Sequence, residues 1–477
     1  MTLIWLGDSA DLDPALVGGK ARSINRMLSL GMPVPPAFVL STQYCPSVNE
    51  SGGRLTDDAL GSLRDGLHRL ERDTRRRLGD AQRPLLVSVR SGGAVSMPGM
   101  MDTVLNLGIT DAVENRLAEL TGDPAFAADT HRRFAEQFER VVGTPATGDP
   151  WKDLVLAAEA VFASWDSSRA KSYRTHHGIG HDGGTAVTVQ AMVFGNYNDA
   201  SGTGVLFTRN PLTGEPDPYG EWLPRGQGED VVSGRFDALH LTELARHLPE
   251  VHDQLLTAAT TLEQYGRDAQ DIEFTVEAGK LWLLQTRAAK RSPQAAVRIA
   301  VRLAEEGVID RADAVAMVTP SQLTAATAPH VDPFAKRDAT ILATGLPACP
   351  GVATGKVVGT CEEAEELSDD GVDVVLARPT TDPDDVSGMV VAVAVITEIG
   401  GSTSHAAVVS RELGRPCVVG CGQGTLTNLV GRTVTVDGTS GEIFDGVLPL
   451  ADSHSAEHEA AQALRQWAKD ATQPVGQ

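Results

Sequence analysis

The residues best placed for chemistry sit in "VITEIGGSTSHAAVVSRELGRPCVVG", Val395–Gly420. An apolar run of strand length leads into Gly400 and Gly401, which permit a sharp turn. Ser402, Thr403 and Ser404 follow, with hydroxyls suited to N-capping. "HAAVVSREL" then reads as a short helix, closed by Gly414 and Pro416. His405 therefore falls in the first turn of a helix, at the positive end of its dipole. That field disfavours imidazolium and keeps the ring a neutral nucleophile. The free N–H groups there would also stabilise a phosphate bonded to the ring. A histidine that merely closes the turn is the plainer alternative. The coincidence of glycines, hydroxyls and a helix start favours a covalent phosphate carrier.

A carrier needs a donor, and three segments offer one. In "LVGGKARSINRM", Gly18-Gly19-Lys20 precedes an expected helix, where backbone and ammonium can meet a phosphate. A surface lysine after a glycine turn has the same pattern. "VSVRSGGAVSMPGMMDT" puts Arg90 at a strand end, with a guanidinium fork matched to phosphate oxygens. Its loop carries Met97, Pro98, Gly99, Met100 and Met101, an expected exposed run able to fold over a nucleotide. "DIEFTVEAGKLWLLQTR" reads as a hairpin turning at Ala278-Gly279. Asp271 and Glu273 share one face of its first strand, and Gln285 and Arg287 share a face of the second. Carboxylate and amide oxygens from these two faces can share a Mg²⁺ while Arg287 meets phosphate; a solvated polar face is the alternative.

These residues need elements to hold them. Residues 1–328 mix helix and strand signals, with a helix-periodic insert at about 111–180. A Pro/Ala/Thr-rich stretch, 329–345, reads as a linker. From 346 to 446, short Val-rich strands alternate with short helices, the pattern of a compact α/β domain. The last segment, 447–477, reads as one amphipathic helix. The chain has 477 residues, 41 Lys plus Arg and 63 Asp plus Glu, a net charge of −22. Such an acidic chain lacks the counterion-release term that drives nucleic-acid binding, so no nucleic-acid partner is expected. Cys45, Cys349, Cys361, Cys417 and Cys421 form no CxxC pair, and their odd number argues against a disulfide framework. No signal peptide is evident at the N-terminus, and the apolar runs are short of a membrane span. A cytoplasmic, reduced protein is expected.

In type and order, "VSVRSGGAVSMPGMMDTVLNLG", "SGTGVLFTRNPLTGE", "GQGEDVVSG", "DIEFTVEAGKLWLLQTR" and "GGSTSHAAVVSRELGRPCVVGC" resemble the pyruvate, phosphate dikinase family. The resemblance implies an α/β (α+β) architecture: an ATP-grasp nucleotide-binding domain with a helical insert, then a swivelling β/β/α phosphohistidine domain. It implies that Lys20, Arg90 and Arg287 hold ATP phosphates, that Glu273 and Gln285 ligate Mg²⁺, and that His405 is phosphorylated. Asp271, Glu229 and Asp230 lie in motifs that line the same site. The "SMPGMMDT" loop looks like the phosphate-dependent dikinases, which would use inorganic phosphate beside ATP. Thr403 matches the position phosphorylated in regulated plant members and is read here as a turn residue. Full-length members continue into a pyruvate- or phosphoenolpyruvate-binding barrel, for which no segment of sufficient length follows. The expectation is therefore half a dikinase that charges His405 and delivers phosphate in trans to a separate acceptor subunit, with Leu464–Trp467 helping to position that partner. A homodimer is compatible with this. A different small-molecule acceptor served through a partner subunit, or a nucleotide sensor without turnover, remain as alternatives.

Overall fold

The structure is a computed structural model. It describes every residue except 1, 10, 96, 98–99, 177, 233–237, 328–329, 452–455 and 473–477. The chain divides into two compact units. The first comprises Met1–Gly202 with Phe274–Thr286, and the second Thr203–Glu273 with Arg287–Gln477. The mixed α/β fold expected from the sequence is present.

In the first unit an antiparallel sheet runs in the order Leu3–Trp5, Ala37–Leu40, Ala186–Ala191, Val87–Gly92, Thr103–Leu107. The expected helical insert is four helices, Asp111–Thr121, Pro124–Val142, Pro150–Ala163 and Ser168–His176. Thr110, Asp123 and Asp149 cap the first three through side-chain oxygens, and Gly122 and Gly143 end two of them in the left-handed conformation. Phe126, Phe134 and Phe138 line one face of the second helix, as a 3.6-residue period requires. They join Leu154, Val161 and Phe162 against Val87, Val89 and Val104 of the sheet in one core.

Two readings are corrected here. Gly18-Gly19-Lys20 does not precede a helix but interrupts one. The segment Pro14–Ser29 is helical on either side of Gly18, which has φ 81° and ψ 159°. The kink presses Gly18 against Gly92, and the Gly19 N–H donates to the Gly93 carbonyl at 3.0 Å. Lys20 is thereby pinned near the end of the Arg90 strand. The methionine loop is not an exposed run either. Met97 and Met100 are 7% and 4% exposed and pack on Trp165, an aromatic face large enough to draw both out of water. Ser96, Pro98 and Gly99 lie outside the described residues.

In the second unit an eight-stranded sheet has the order Ile341–Thr344, Glu442–Asp445, Thr433–Asp437, Val352–Val358, Val374–Arg378, Ala394–Thr397, Cys417–Val419, Leu346–Cys349. Val352–Val358, Val374–Arg378, Ala394–Thr397 and Cys417–Val419 run parallel. Both faces of this parallel part are covered, which is why its strands read as unbroken apolar runs. Val395 joins Ala406, Ala407 and Val419 on one face. The next residue, Ile396, joins Val375, Leu426 and Ile443 on the other.

A further sheet has the order Leu239–His240, Tyr219–Pro224, Gly202–Phe207, Gln270–Glu277, Lys280–Ala288. The expected hairpin turns at Ala278 and Gly279, both with positive φ, as a tight two-residue turn demands. Within 329–345, His330–Val331 pairs with Leu450–Ala451, and Ile341–Thr344 forms an edge of the eight-stranded sheet. The last helix, Ala456–Thr472, is not free for a partner on its apolar side. Leu464 is 3% exposed in a core with Ile299 and Leu303, and Arg311 stacks on Trp467. An apolar stripe of that kind is buried intramolecularly before it can recruit anything else.

The Gly18 contact gives a paired test. A Cβ at Gly18 would lie 2.4 Å from the Gly92 carbonyl group, whereas one at Gly19 meets nothing within 4 Å. Gly18→Ala should therefore cost roughly 2 kcal/mol or more. Gly19→Ala should be neutral or slightly stabilising, with denaturant midpoints as the readout.

Candidate functional site

His405 opens the helix His405–Leu413, directly after the loop that leaves strand Ala394–Thr397. The neighbouring parallel strand, Val374–Arg378, ends in the loop that carries Thr381. Loops at the carboxyl ends of adjacent parallel strands converge, and here they bring Thr381 Oγ1 to 3.1 Å from His405 Nδ1. The other ring nitrogen, Nε2, is buried and has no hydrogen-bond partner among the described residues. In the tautomer that carries its proton on Nδ1 and donates it to Thr381 Oγ1, Nε2 holds its lone pair free. Burial, the largest influence, pulls the His405 pKa below its ordinary value, against the nearby carboxylates of Asp382 and Asp385. The neutral ring expected from the sequence is thus favoured, with desolvation as its main cause.

The three hydroxyls before His405 do not act as expected. Ser404 is the N-cap residue, yet its side chain makes no cap hydrogen bond, and its buried Oγ has no partner among the described residues. Ser402 and Thr403 turn instead to Glu221, from the strand Tyr219–Pro224. Glu221 Oε1 accepts from the Ser402 N–H at 3.0 Å and from Ser402 Oγ at 2.6 Å, and Oε2 accepts from Thr403 Oγ1 at 2.6 Å. Tyr219 Oη donates to Ser402 Oγ at 2.7 Å. Arg411, 2% exposed, donates to the Ser402 carbonyl at 2.8 Å and to the Ala348 carbonyl at 3.1 Å. An N-cap hydroxyl accepts from a backbone N–H; here the Ser402 and Thr403 hydroxyls are instead oriented to donate to a carboxylate, whose charge-assisted bonds are about twice as strong as neutral ones.

Asp271 and Arg287 form an ion pair, Nε to Oδ2 at 2.8 Å. Burial pushes the Asp271 carboxyl up, Arg287 pulls it down, and the nearby Glu273 raises it further. Asp271 and Glu273 in turn hold Arg287 firmly protonated. Asp271 Oδ1 is buried without a hydrogen-bond partner among the described residues. An orphaned carboxylate oxygen beside a second carboxylate is a hard-oxygen donor set, and it fits a Mg²⁺ ion. The turn Gly228–Val232 carries Glu229 and Asp230, and Asp230 Oδ2 accepts from the Gln227 N–H at 3.1 Å.

The second unit thus gathers Asp271, Glu273 and Arg287 in one cluster and holds Glu229, Asp230 and His405 as well. Lys20, Arg90 and the buried Gln285 belong to the first unit. Among the described residues, the three-residue grouping able to hold a metal by ligand spacing is Asp111, Glu114 and His131, on the helical insert. Sequence reasoning missed Thr381, Glu221, Tyr219 and Arg411. Thr381 had a signal, a "TTDPDD" loop after an apolar strand. Glu221 had only alternation within "YGEWLP", which says nothing about a partner 181 residues away.

Comparison with known proteins finds relatives for most of the chain. Two family descriptions match: the pyruvate phosphate dikinase AMP/ATP-binding domain over residues 54–243, and the PEP-utilising enzyme mobile domain over 371–441. Similar proteins include pyruvate, phosphate dikinase of Rhizobium meliloti (strain 1021), 41% identical over 93% of this chain and 57% of that protein. Pyruvate, phosphate dikinase 1, chloroplastic, of Zea mays is 42% identical over 91% of this chain and 52% of its own length. That of Clostridium symbiosum is 39% identical over 90% and 56%. The chain spans about half the length of the curated relatives it matches. No helix among the described residues is long and apolar enough to cross a membrane.

Two outcomes follow from this geometry. Glu221→Ala leaves two hydroxyls and an amide without their acceptor, a loss of about 1–3 kcal/mol for each buried group left unpaired. Amide hydrogen exchange over 401–405 should accelerate. Because burial lowers the His405 pKa, the ring stays deprotonated as pH falls through the ordinary value of 6.5. Any reaction that uses Nε2 as nucleophile should hold its rate through that window and decline only below it, as a pH–rate profile would show.

Proposed function

Because the chain belongs to the pyruvate, phosphate dikinase family, we propose that it is an ATP-dependent phosphotransferase in which His405 carries the phosphoryl group. The carrying observation is the imidazole itself: Nδ1 is engaged by Thr381 while Nε2, at a helix start, is buried without a hydrogen-bond partner among the described residues. A structural histidine would satisfy both nitrogens. Nε2 attacks the β-phosphorus of ATP, the bond to the α-phosphate oxygen breaks, and AMP leaves. Inorganic phosphate then takes the γ-phosphoryl group as pyrophosphate, leaving phosphohistidine. Thr381 holds the proton on Nδ1 throughout, so the attacking lone pair stays on Nε2. N–H groups of the helix start would stabilise the new phosphate, and Ser404 Oγ, next in sequence and without a partner among the described residues, is a donor available to its oxygens.

Lys20, Arg90 and Arg287 are proposed to hold the ATP phosphates, with Asp271, Glu229 and Asp230 lining the same site. Glu273 and Gln285 are the proposed Mg²⁺ ligands; when bound, the ion neutralises charge on the phosphoryl oxygens. The domain boundaries proposed are 1–328 for nucleotide binding, 329–345 for the linker, 346–446 for the phosphohistidine domain and 447–477 for the tail. Delivery is proposed to occur in trans, to an acceptor subunit of the pyruvate/phosphoenolpyruvate-binding barrel type, in the cytoplasm. The reading is supported by the two matched descriptions, an AMP/ATP-binding domain and a PEP-utilising enzyme mobile domain.

The chain incubated with MgATP and phosphate should release AMP and acquire an acid-labile, base-stable phosphate. His405→Asn should abolish that label with ATP binding retained, and Glu273→Ala should suppress it even at saturating ATP. Phosphoenolpyruvate should form from pyruvate only when a cognate barrel protein is added. A label that survives His405→Asn removes the carrier assignment, and turnover without the barrel removes delivery in trans.

A further inference from the structure

The chain is strongly acidic, yet one place in the first unit concentrates the opposite charge. Arg72, Arg75, Arg76, Arg77 and Arg83, with His68, line a hollow of about 430 Å³ at the C-terminal end of the helix Asp57–Thr74. All of these residues are exposed. The strand pair Arg77–Leu78 and Pro84–Leu85 draws the last two arginines together, with the Arg77 N–H donating to the Arg83 carbonyl at 2.8 Å.

These guanidinium groups differ from the others nearby. Arg69, on the same helix, pairs with Asp8 at 2.6 Å and stacks on Trp5. Arg64 stacks on Trp151. Among the described residues, by contrast, the five arginines of the hollow make no side-chain ion pair. Glu71, the carboxylate in the lining, already accepts from the Leu78 N–H at 3.0 Å. Asp80 feels Arg77 and Arg83, and Glu277 feels Arg76, without either closing a salt bridge. So many like charges around one concavity repel each other unless an anion joins them.

Arg75 carries a second, independent sign. It caps the helix in the left-handed conformation, φ 55°, which is unfavourable for a residue with a Cβ. Other helices here end in that conformation with Gly122, Gly143 or Gly414. Arg267 shares the arrangement, but its guanidinium is paired with Asp313 at 2.6 Å. Arg75 has strained backbone and no carboxylate to explain its side chain. Attraction to the helix dipole accounts for cations in the last turn, but not for Arg76, Arg77 and Arg83 beyond it. The hollow is concave and of small-ligand size, which favours a compact anion over a flat protein face. Guanidinium groups match phosphate oxygens in geometry.

We propose that this hollow binds a small polyphosphate anion of two or more linked phosphoryl groups, at a site that shares no residue with Lys20, Arg90 or the His405 loop. The anion is either free polyphosphate or the phosphate tail of a nucleotide. The inference does not depend on the phosphotransfer reading.

The test is calorimetric titration of the full chain with inorganic tripolyphosphate, and separately with ATP, at low ionic strength. Three proteins are compared: wild type, Arg75→Gly, and the double variant Arg76→Glu/Arg83→Glu. Arg75→Gly keeps the fold, because glycine adopts the left-handed conformation freely. The expected result is a tripolyphosphate site weakened roughly tenfold or more in both variants, with thermal stability of Arg75→Gly unchanged or higher. If ATP also loses a second binding event in the double variant, the ligand is a nucleotide tail; if ATP binding is unchanged, it is free polyphosphate. Equal tripolyphosphate affinity in all three proteins overturns the proposal. So does citrate binding as tightly as tripolyphosphate, since a bare trianion would then suffice.

Discussion

A neutral imidazole half-buried at a helix start, with Nε2 covered, can give one nitrogen to the protein and keep one for chemistry, and the eight-stranded sheet is organised around that constraint. Two adjacent parallel strands must end at the same level, so that one delivers the "GGSTSH" loop and the other the Thr381 loop. Both strands are buried on two faces, which fixes their register, because a one-residue slip would exchange the side chains of the two cores. Ala406 and Ala407 are small enough for the His405 helix to lie close to Val395 and Val419. The position of Nε2 is thus a consequence of packing several residues away.

The loop before His405 answers to a second demand. Its hydroxyls are bound by Glu221 rather than by the helix they precede. Gly401 allows this approach, since a Cβ there would come within 2.9 Å of the Glu221 carboxylate. Arg411 holds the same loop from the other end of the helix through the Ser402 carbonyl. A half-buried carboxylate and a buried guanidinium thereby fix a short loop between them. Thr403, expected as a turn residue, has its hydroxyl directed into this arrangement.

The Asp271–Arg287 pair shows a different balance. Taking the Asp271 charge out of water is costly, and the partly exposed Arg287 guanidinium offsets that desolvation. The second oxygen of Asp271 has no hydrogen-bond partner among the described residues, which leaves that balance incomplete.

Much of this was legible in the sequence. The strand, the glycine pair, the helix and its stop at Gly414 follow from local rules of backbone conformation, and they placed His405 correctly at a helix start. The hairpin at Ala278-Gly279 and the helical insert follow likewise from period and turn chemistry. Where the reading failed, the cause was a contact distant in sequence. Trp165 buried methionines that looked exposed, the Gly92 backbone turned a helix start into a kink at Gly18, and Glu221 drew away hydroxyls that looked like caps. The sequence by itself determined which segments are helix or strand and which residue types could carry phosphate. Only the tertiary structure decided which polar atoms are partnered and which are left free, because hydrogen-bond satisfaction depends on groups that the fold alone brings within 3 Å of one another.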